Sequence, residues 1–241
     1  MKLQMARAHQ HHLVLVPGLD STGRLFEPLL SVLPSVFEAS VVRFPANQTL
    51  PERDWFGCVR SVIPWDHPYI LVAESTAGPL ALRFVQAQQQ DIRAVVLAAS
   101  FVSNPIPTSV WPSSLFGKSW LEKEPTAMLV REHLLGDDAP DLLVEAVTQA
   151  LLALAPGVRA ARIHALRQTN AAPELESCRK PLLYLRPAQD RFVAAKAVEE
   201  LLRLKPSAKV VTIPGPHLLF QRNPRQALEA IREFLSQLVS E

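Results

Sequence analysis

The 241-residue chain has only 2 cysteines and 8 glycines. Cys58 and Cys178 stand alone, with no CxxC pair and no His/Cys group at zinc spacing. No disulfide framework and no metal site are therefore expected. Both thiols read as apolar packing residues, with a Cys58–Cys178 bridge the less favoured alternative. Charge of one sign is also missing: 25 Lys and Arg against 23 Asp and Glu leave a net +2 and no long basic run. Nucleic acid, which is held mainly through phosphate contacts, is not an expected partner. Long hydrophobic runs are absent too. The first, Leu13-Val14-Leu15-Val16, stops at Pro17-Gly18, too short for a signal-peptide core or a bilayer span. No membrane span is expected, and the cytoplasm is the default compartment.

What remains is an ordinary globular balance, 48% apolar and 20% charged, in a length that suits one large domain. Short apolar runs at 13–16, 39–44, 69–73, 94–98, 181–185 and 209–213 read as strands covered on both faces. Helical patterns lie between them at 25–33, 55–62, 80–86, 193–204 and 226–238. This alternation predicts an α/β fold: a mostly parallel sheet of about six strands with helices on both faces. Asn223 is placed to cap the last helix, with Pro224 at its first position. The rhythm breaks between 101 and 180. Residues 124–135, 141–154 and 158–166 read as helices, the second with Leu143, Val147, Ala150 and Leu154 on one face and a stop at Pro156-Gly157. The chain thus divides into a core of 1–101 and 181–241 and a helical insertion of 102–180.

The chemistry centres on Ala73-Glu74-Ser75-Thr76-Ala77-Gly78-Pro79. A strand runs into Ser75 and a helix starts two or three residues later. Such a turn strains the serine backbone and exposes its hydroxyl. Small residues are needed two positions to either side, and Ala73 and Ala77 supply them. The bland alternative is a helix-capping serine. A serine nucleophile needs a base and an acid. Asp190 follows the strand at 181–185, where it could equally cap the next helix, and His217 follows the strand at 209–213 within Pro214-Gly215-Pro216-His217. All three fall at carboxyl ends of parallel strands, where open α/β sheets place their sites. His9, His11 and His12 precede the first strand, His67 lies at the other end of the sheet, and His133 and His164 fall on the insertion as surface or packing residues, with His164 also a candidate for substrate contact.

With Ser75, Asp190 and His217 in this chain order, the sequence resembles the α/β-hydrolase family over nearly its whole length. The resemblance implies that the insertion is the family's helical cap. It also implies that the exit of the first strand, Val16-Pro17-Gly18-Leu19-Asp20-Ser21-Thr22-Gly23, is an oxyanion loop. In that reading the backbone N–H groups of Leu19 and Thr76 hold the oxyanion, each worth on the order of 3 kcal/mol in the transition state. Asp20 is expected to bond its own loop backbone and Thr22 to help start the following helix. The chain departs from many members in having Ala73 and Ala77 for Gly, Pro17 for His, and Arg222 for an acid.

The expected activity is hydrolysis of a carboxylic ester with an apolar acyl group, with Ser75 as nucleophile, His217 as base and Asp190 as orienting acid. The expected partner is a small-molecule ester, with no cofactor and no metal, in a monomer or homodimer. Leu19, Phe101, Trp111, Phe116, Trp120 and Leu218 are candidates to line the acyl pocket. Met128 and Leu115 cluster with them in sequence, and Arg131, Arg162 and Arg167 are candidates to receive an acidic head group. Glu74 is a candidate to pair with a residue of the insertion. The alternatives are a thioesterase, lactonase or carbon–carbon bond hydrolase on the same three residues, or a non-catalytic binding protein on this scaffold.

Overall fold

The structure is a computed structural model in which residues 11–88, 90–104 and 125–238 are described. Six strands, β1 (His11–Val16), β2 (Phe37–Val41), β3 (Tyr69–Glu74), β4 (Ile92–Ala98), β5 (Leu182–Pro187) and β6 (Lys209–Ile213), form one sheet in the order β2-β1-β3-β4-β5-β6. Every pairing is parallel. The strand order reverses between β1 and β3, so the loops leaving these two strands diverge and open a crevice at their carboxyl ends.

Strand side chains alternate between faces, and both faces are buried. Val14, Val16, Leu71, Ala73, Val95, Leu97 and Tyr184 point to one side, where α2 (Glu52–Arg60) and α3 (Gly78–Ala87) deliver Val59, Leu82, Phe84 and Val85. Leu13, Leu15, Ile70, Val72, Val96, Leu183 and Leu185 point to the other. There α1 (Glu27–Leu30) and the C-terminal helix α10 (Pro224–Gln237) bring Leu29, Leu228, Ile231, Phe234 and Leu235. Each fully buried aliphatic side chain contributes about 1.5–3 kcal/mol over its exposed state, which explains the near-continuous apolar runs.

Between β4 and β5 the described residues form α4 (Ala127–Val130), a π-turn (Arg131–Leu135), α5 (Asp141–Leu152), α6 (Pro156–Arg167) and α7 (Ala172–Ser177). The first four enclose their own cluster of Val130, Leu135, Val144, Val147, Leu151 and Ile163. Leu25 and Leu218 of the core join that cluster, and this seats the helices over the carboxyl ends of the strands. Beyond β5 lie α8 (Lys196–Leu204) and the short α9 (Leu219–Arg222). No single helix among the described residues is long and apolar enough to cross a membrane.

Several elements differ from the sequence expectation. β2 starts earlier than 39–44, with Phe37 paired to His11, and ends earlier, since Val42 N–H makes the last bond to β1, at 2.9 Å to the Leu15 carbonyl. Phe44 N–H then donates to the Ser21 carbonyl at 2.9 Å, tying this segment to the loop after β1. The pattern at 25–33 becomes a 3-10 turn (Arg24–Phe26) followed by α1, with Pro34 close behind, a residue that disfavours helix just before it. α5 ends at Leu152 rather than Leu154, and Pro156 opens α6, the position where its missing N–H costs least. Asn223 does not cap α10 with its side chain, which instead donates to the Pro214 carbonyl. α7 had no counterpart in the sequence reading. Cys58 and Cys178 are both free thiols, the first only partly buried.

Candidate active site

β3 delivers Ser75 at its carboxyl end, and Ser75 opens a 3-10 turn (Ser75–Ala77) that continues into α3. The Ser75 φ of 51° lies in the left-handed region, a strained setting for a non-glycine residue. Gly18, on the loop after β1, passes so close that a Cβ there would sit 3.2 Å from the Ser75 Cβ and from the Glu74 carbonyl oxygen. Gly78 is constrained more severely, since a Cβ there would overlap the Ser100 hydroxyl.

Two further side chains hold this turn from behind. Ser100 Oγ donates to the Ser75 carbonyl at 2.7 Å, and the Tyr184 hydroxyl donates to the Ser100 carbonyl at 2.6 Å. Burial pushes the Tyr184 phenol well above its ordinary range, so it stays a donor. Neither residue was singled out from sequence. Their one visible signal is position: Ser100 lies just past β4, the strand beside β3, and Tyr184 lies within β5, one strand further along the sheet.

His217 Nε2 lies 2.8 Å from Ser75 Oγ, and His217 Nδ1 lies 3.0 and 3.1 Å from the two Asp190 carboxylate oxygens. The histidine side chain is 2% exposed and the aspartate 8%, so the relay is shielded from bulk water. The helix-capping reading of Asp190 fails, because α8 begins only at Lys196 with no side-chain cap, and the carboxylate braces its own loop instead. Its Oδ1 also accepts the backbone N–H groups of Phe192 and Val193, each at 2.8 Å. The Phe192 ring stands 4.8 Å from the imidazole, centroid to centroid. A proton on Nδ1, facing the carboxylate, leaves the Nε2 lone pair to accept the Ser75 O–H.

Leu19 and Thr76 border the same hollow as Ser75 and His217. Thr76 is the second residue of its turn, so its N–H has no acceptor inside it. The loop carrying Leu19 is fixed by Asp20, whose Oδ2 accepts from Thr22 N–H, the Thr22 hydroxyl and Gly23 N–H at 3.1, 2.9 and 3.2 Å. Thr22 Oγ1 then accepts from Arg24 N–H at the start of the next turn, as the sequence suggested.

Behind the nucleophile, Glu74 is buried. Its partner is Gln221 of α9, whose Nε2 donates to Oε2 at 3.3 Å, and not a residue of the insertion. Burial, with the Asp20 charge adding to it, pushes the Glu74 carboxyl up to about 8. Its Oε1 and the Gln221 side-chain Oε1 are buried without a hydrogen-bond partner.

The hollow at Ser75 is small, about 50 Å³, and its walls include Leu19, Leu25, Leu134, Val147, Leu151 and Leu218. A wider cleft of about 340 Å³ opens on the other side of Leu19 and Thr76, past Trp55, Leu80, Arg83 and Arg162. Phe101 does not line either one. It is fully buried and packs with Leu166, Val193 and Ala197. Trp111, Leu115, Phe116 and Trp120 lie outside the described residues. Met128 is 69% exposed, on the outer surface of α4. Arg131 is engaged by the Ala139 carbonyl and Asp141, and Arg162 by Ser21 and Pro45.

Fold and site together define a parallel α/β protein with a serine on a strand-to-helix elbow, hydrogen-bonded to a histidine–aspartate pair. Residues 13–231 match the alpha/beta hydrolase family, and the chain belongs to that family. Membership supports hydrolysis as its class of activity. No curated protein matches the chain in sequence. Among solved structures, a hydrolase from Oleispira antarctica superposes with a TM-score of 0.77 at 12% identity, over 94% of this chain and 91% of that one. An enol-lactonase from Burkholderia xenovorans LB400 gives 0.76 at 14% identity, over 94% and 92%. An esterase from Rhodococcus sp. ECU1013 gives 0.75 at 18% identity, over 94% and 90%. At these identities the likeness is one of fold.

Proposed function

We propose that the protein hydrolyses carboxylic esters with an apolar acyl group through a covalent acyl-enzyme. The observation that carries this reading is the unbroken relay from Ser75 Oγ to His217 Nε2 and from His217 Nδ1 to Asp190. Ser75 attacks the ester carbonyl while His217 takes its proton. The tetrahedral oxyanion is held by the backbone N–H groups of Leu19 and Thr76. His217 returns the proton to the leaving alcohol, and the acyl group stays on Ser75 Oγ. A water molecule, deprotonated by His217, then releases the carboxylic acid and restores the serine. Asp190 fixes the imidazole tautomer and stabilises the imidazolium. A similarity to an esterase structure and the leucine- and valine-lined hollow beside Ser75 support the acyl preference. The substrate is a small molecule, and none of these steps calls on a cofactor.

The test is a panel of p-nitrophenyl esters of rising chain length, acyl thioesters and lactones, run beside covalent labelling with a fluorophosphonate. Ester turnover and labelling that both vanish in Ser75→Ala support the proposal. Turnover of thioesters or lactones with none of open-chain oxygen esters overturns the ester assignment. Absence of labelling in the wild-type chain overturns the serine mechanism.

A further inference from the structure

A hollow of about 1030 Å³ lies far from Ser75, at the amino ends of the strands, and His12, Glu38 and His67 are on its wall. His12 and Glu38 are direct register partners on β1 and β2. His67 lies two residues before Tyr69, which is the β3 register partner of His12. Three elements therefore converge, and one ligand-capable atom from each of the three side chains lies within 4.8 Å of the others. We propose that His12, Glu38 and His67 form a binding site for one divalent transition ion of the zinc type, which ties β1, β2 and the loop before β3 together.

The surroundings of the two imidazoles favour this. His12 Nε2 is taken by the Ser40 hydroxyl at 2.8 Å, which leaves Nδ1 facing Glu38 Oε2 at 3.8 Å. That Nδ1 is buried and has no hydrogen-bond partner. His67 Nδ1 contacts Asp66 Oδ1 at 2.5 Å, which leaves Nε2. Histidine ligands of metals generally have their second nitrogen held by such an oxygen, which orients the ring and raises its basicity. Two nitrogens and one carboxylate oxygen suit zinc, with water completing a tetrahedron. Ligand bonds of about 2.0–2.2 Å require the three atoms to draw together by roughly 1 Å. The Glu38 and His67 side chains, 53% and 41% exposed, are free to do so. Sequence spacing hid the site because its members come from three separate elements.

The test uses the full chain freed of metal by chelator and titrated with Zn2+ by calorimetry and with Co2+ by visible absorption, with Tm followed at each metal level. One equivalent should bind, the Co2+ form should show the intense bands of a four-coordinate site, and Tm should climb with metal concentration. Glu38→Gln and His67→Ala, both in exposed positions, should weaken binding more than tenfold. Ser40→Ala and Asp66→Asn should weaken it about tenfold. The proposal fails if no metal binds at millimolar concentration. It also fails if binding persists in His67→Ala and Glu38→Gln but disappears when His9 and His11 are replaced, which would mark chelation by the N-terminal histidines.

Discussion

Arg162 of α6 donates to the hydroxyl of Ser21, on the loop after β1, and Ser21 in turn donates to the Leu19 carbonyl at 3.1 Å. The same guanidinium donates to the Pro45 carbonyl at 2.8 Å and lies 4.8 Å above the Trp55 ring. The insertion is thereby fastened to the loop whose Leu19 N–H is proposed to meet the oxyanion. Ser21 holds a φ of 60°, so the loop needs external support to keep its shape.

Arg162→Met should therefore lower kcat roughly tenfold to a hundredfold, the scale of a misplaced catalytic donor, while KM changes little. Arg162→Lys should recover only a small part, since an ammonium cannot serve two acceptors and a ring face in one plane. Steady-state kinetics on the best ester of the panel, with Tm as a control for folding, decides the matter. An unchanged kcat in a folded Arg162→Met variant removes the loop-support role.

Asp190 answers to two sets of donors at once, the imidazole and the N–H groups of Phe192 and Val193. In Asp190→Asn the amide oxygen can keep the two backbone bonds, and its NH2 then faces His217 Nδ1. That forces the proton onto Nε2 and removes the lone pair Ser75 needs. The expected result is a fall in kcat of about four orders of magnitude with little loss of stability. A loss of less than tenfold would mean that the aspartate only braces its loop.

The relay was legible because each member sits where a strand ends, and strand ends are marked by apolar runs that stop. The loop role of Asp20 was legible for a similar reason, since a short acid beside Ser, Thr and Gly bonds its neighbours. Ser100, Tyr184 and Gln221 were not legible. Their partners are backbone carbonyls or a carboxylate brought near only by the fold, and no local pattern marks such a contact. Asn223 shows the opposite error: a favourable capping position was outbid by the Pro214 carbonyl, which the tight loop around Gly215 brings within reach. Aromatic content alone pointed to a pocket wall where the insertion begins, and Phe101, the last residue of the core before it, shows how little that says about which way a ring faces.

Gly78 and Ser100 face each other across the elbow, so their substitutions should not add. Gly78→Ala pushes a methyl group into the Ser100 hydroxyl, an overpacking cost of about 1–3 kcal/mol. Ser100→Ala loses the bond to the Ser75 carbonyl and leaves that oxygen buried, about 1–3 kcal/mol. In the double variant the clash with Oγ disappears, so its loss should fall short of the sum by about 0.5–3 kcal/mol. Denaturant unfolding of the four proteins measures this coupling, and strict additivity would show that the two sites do not touch.

Glu74 makes the stability of the fold depend on pH in a direction unusual for a carboxyl. With its folded value near 8 and an ordinary value of 4.5, the native state holds the proton that the unfolded chain has already released. The favourable term is complete below 4.5 and is lost as pH rises through the window to about 8, by up to about 1.4 kcal/mol per pH unit. Asp20, raised by burial in the same way, adds to the trend. Glu74→Gln keeps the shape and removes the charge. Its unfolding free energy should match the wild type near pH 4.5 and exceed it increasingly towards pH 8, with a flatter profile throughout. Chemical denaturation across that range, done on both proteins, tests the sign as well as the size. Parallel profiles for the two would mean that Glu74 is already ionised in the folded state, with its charge met by the Gln221 amide.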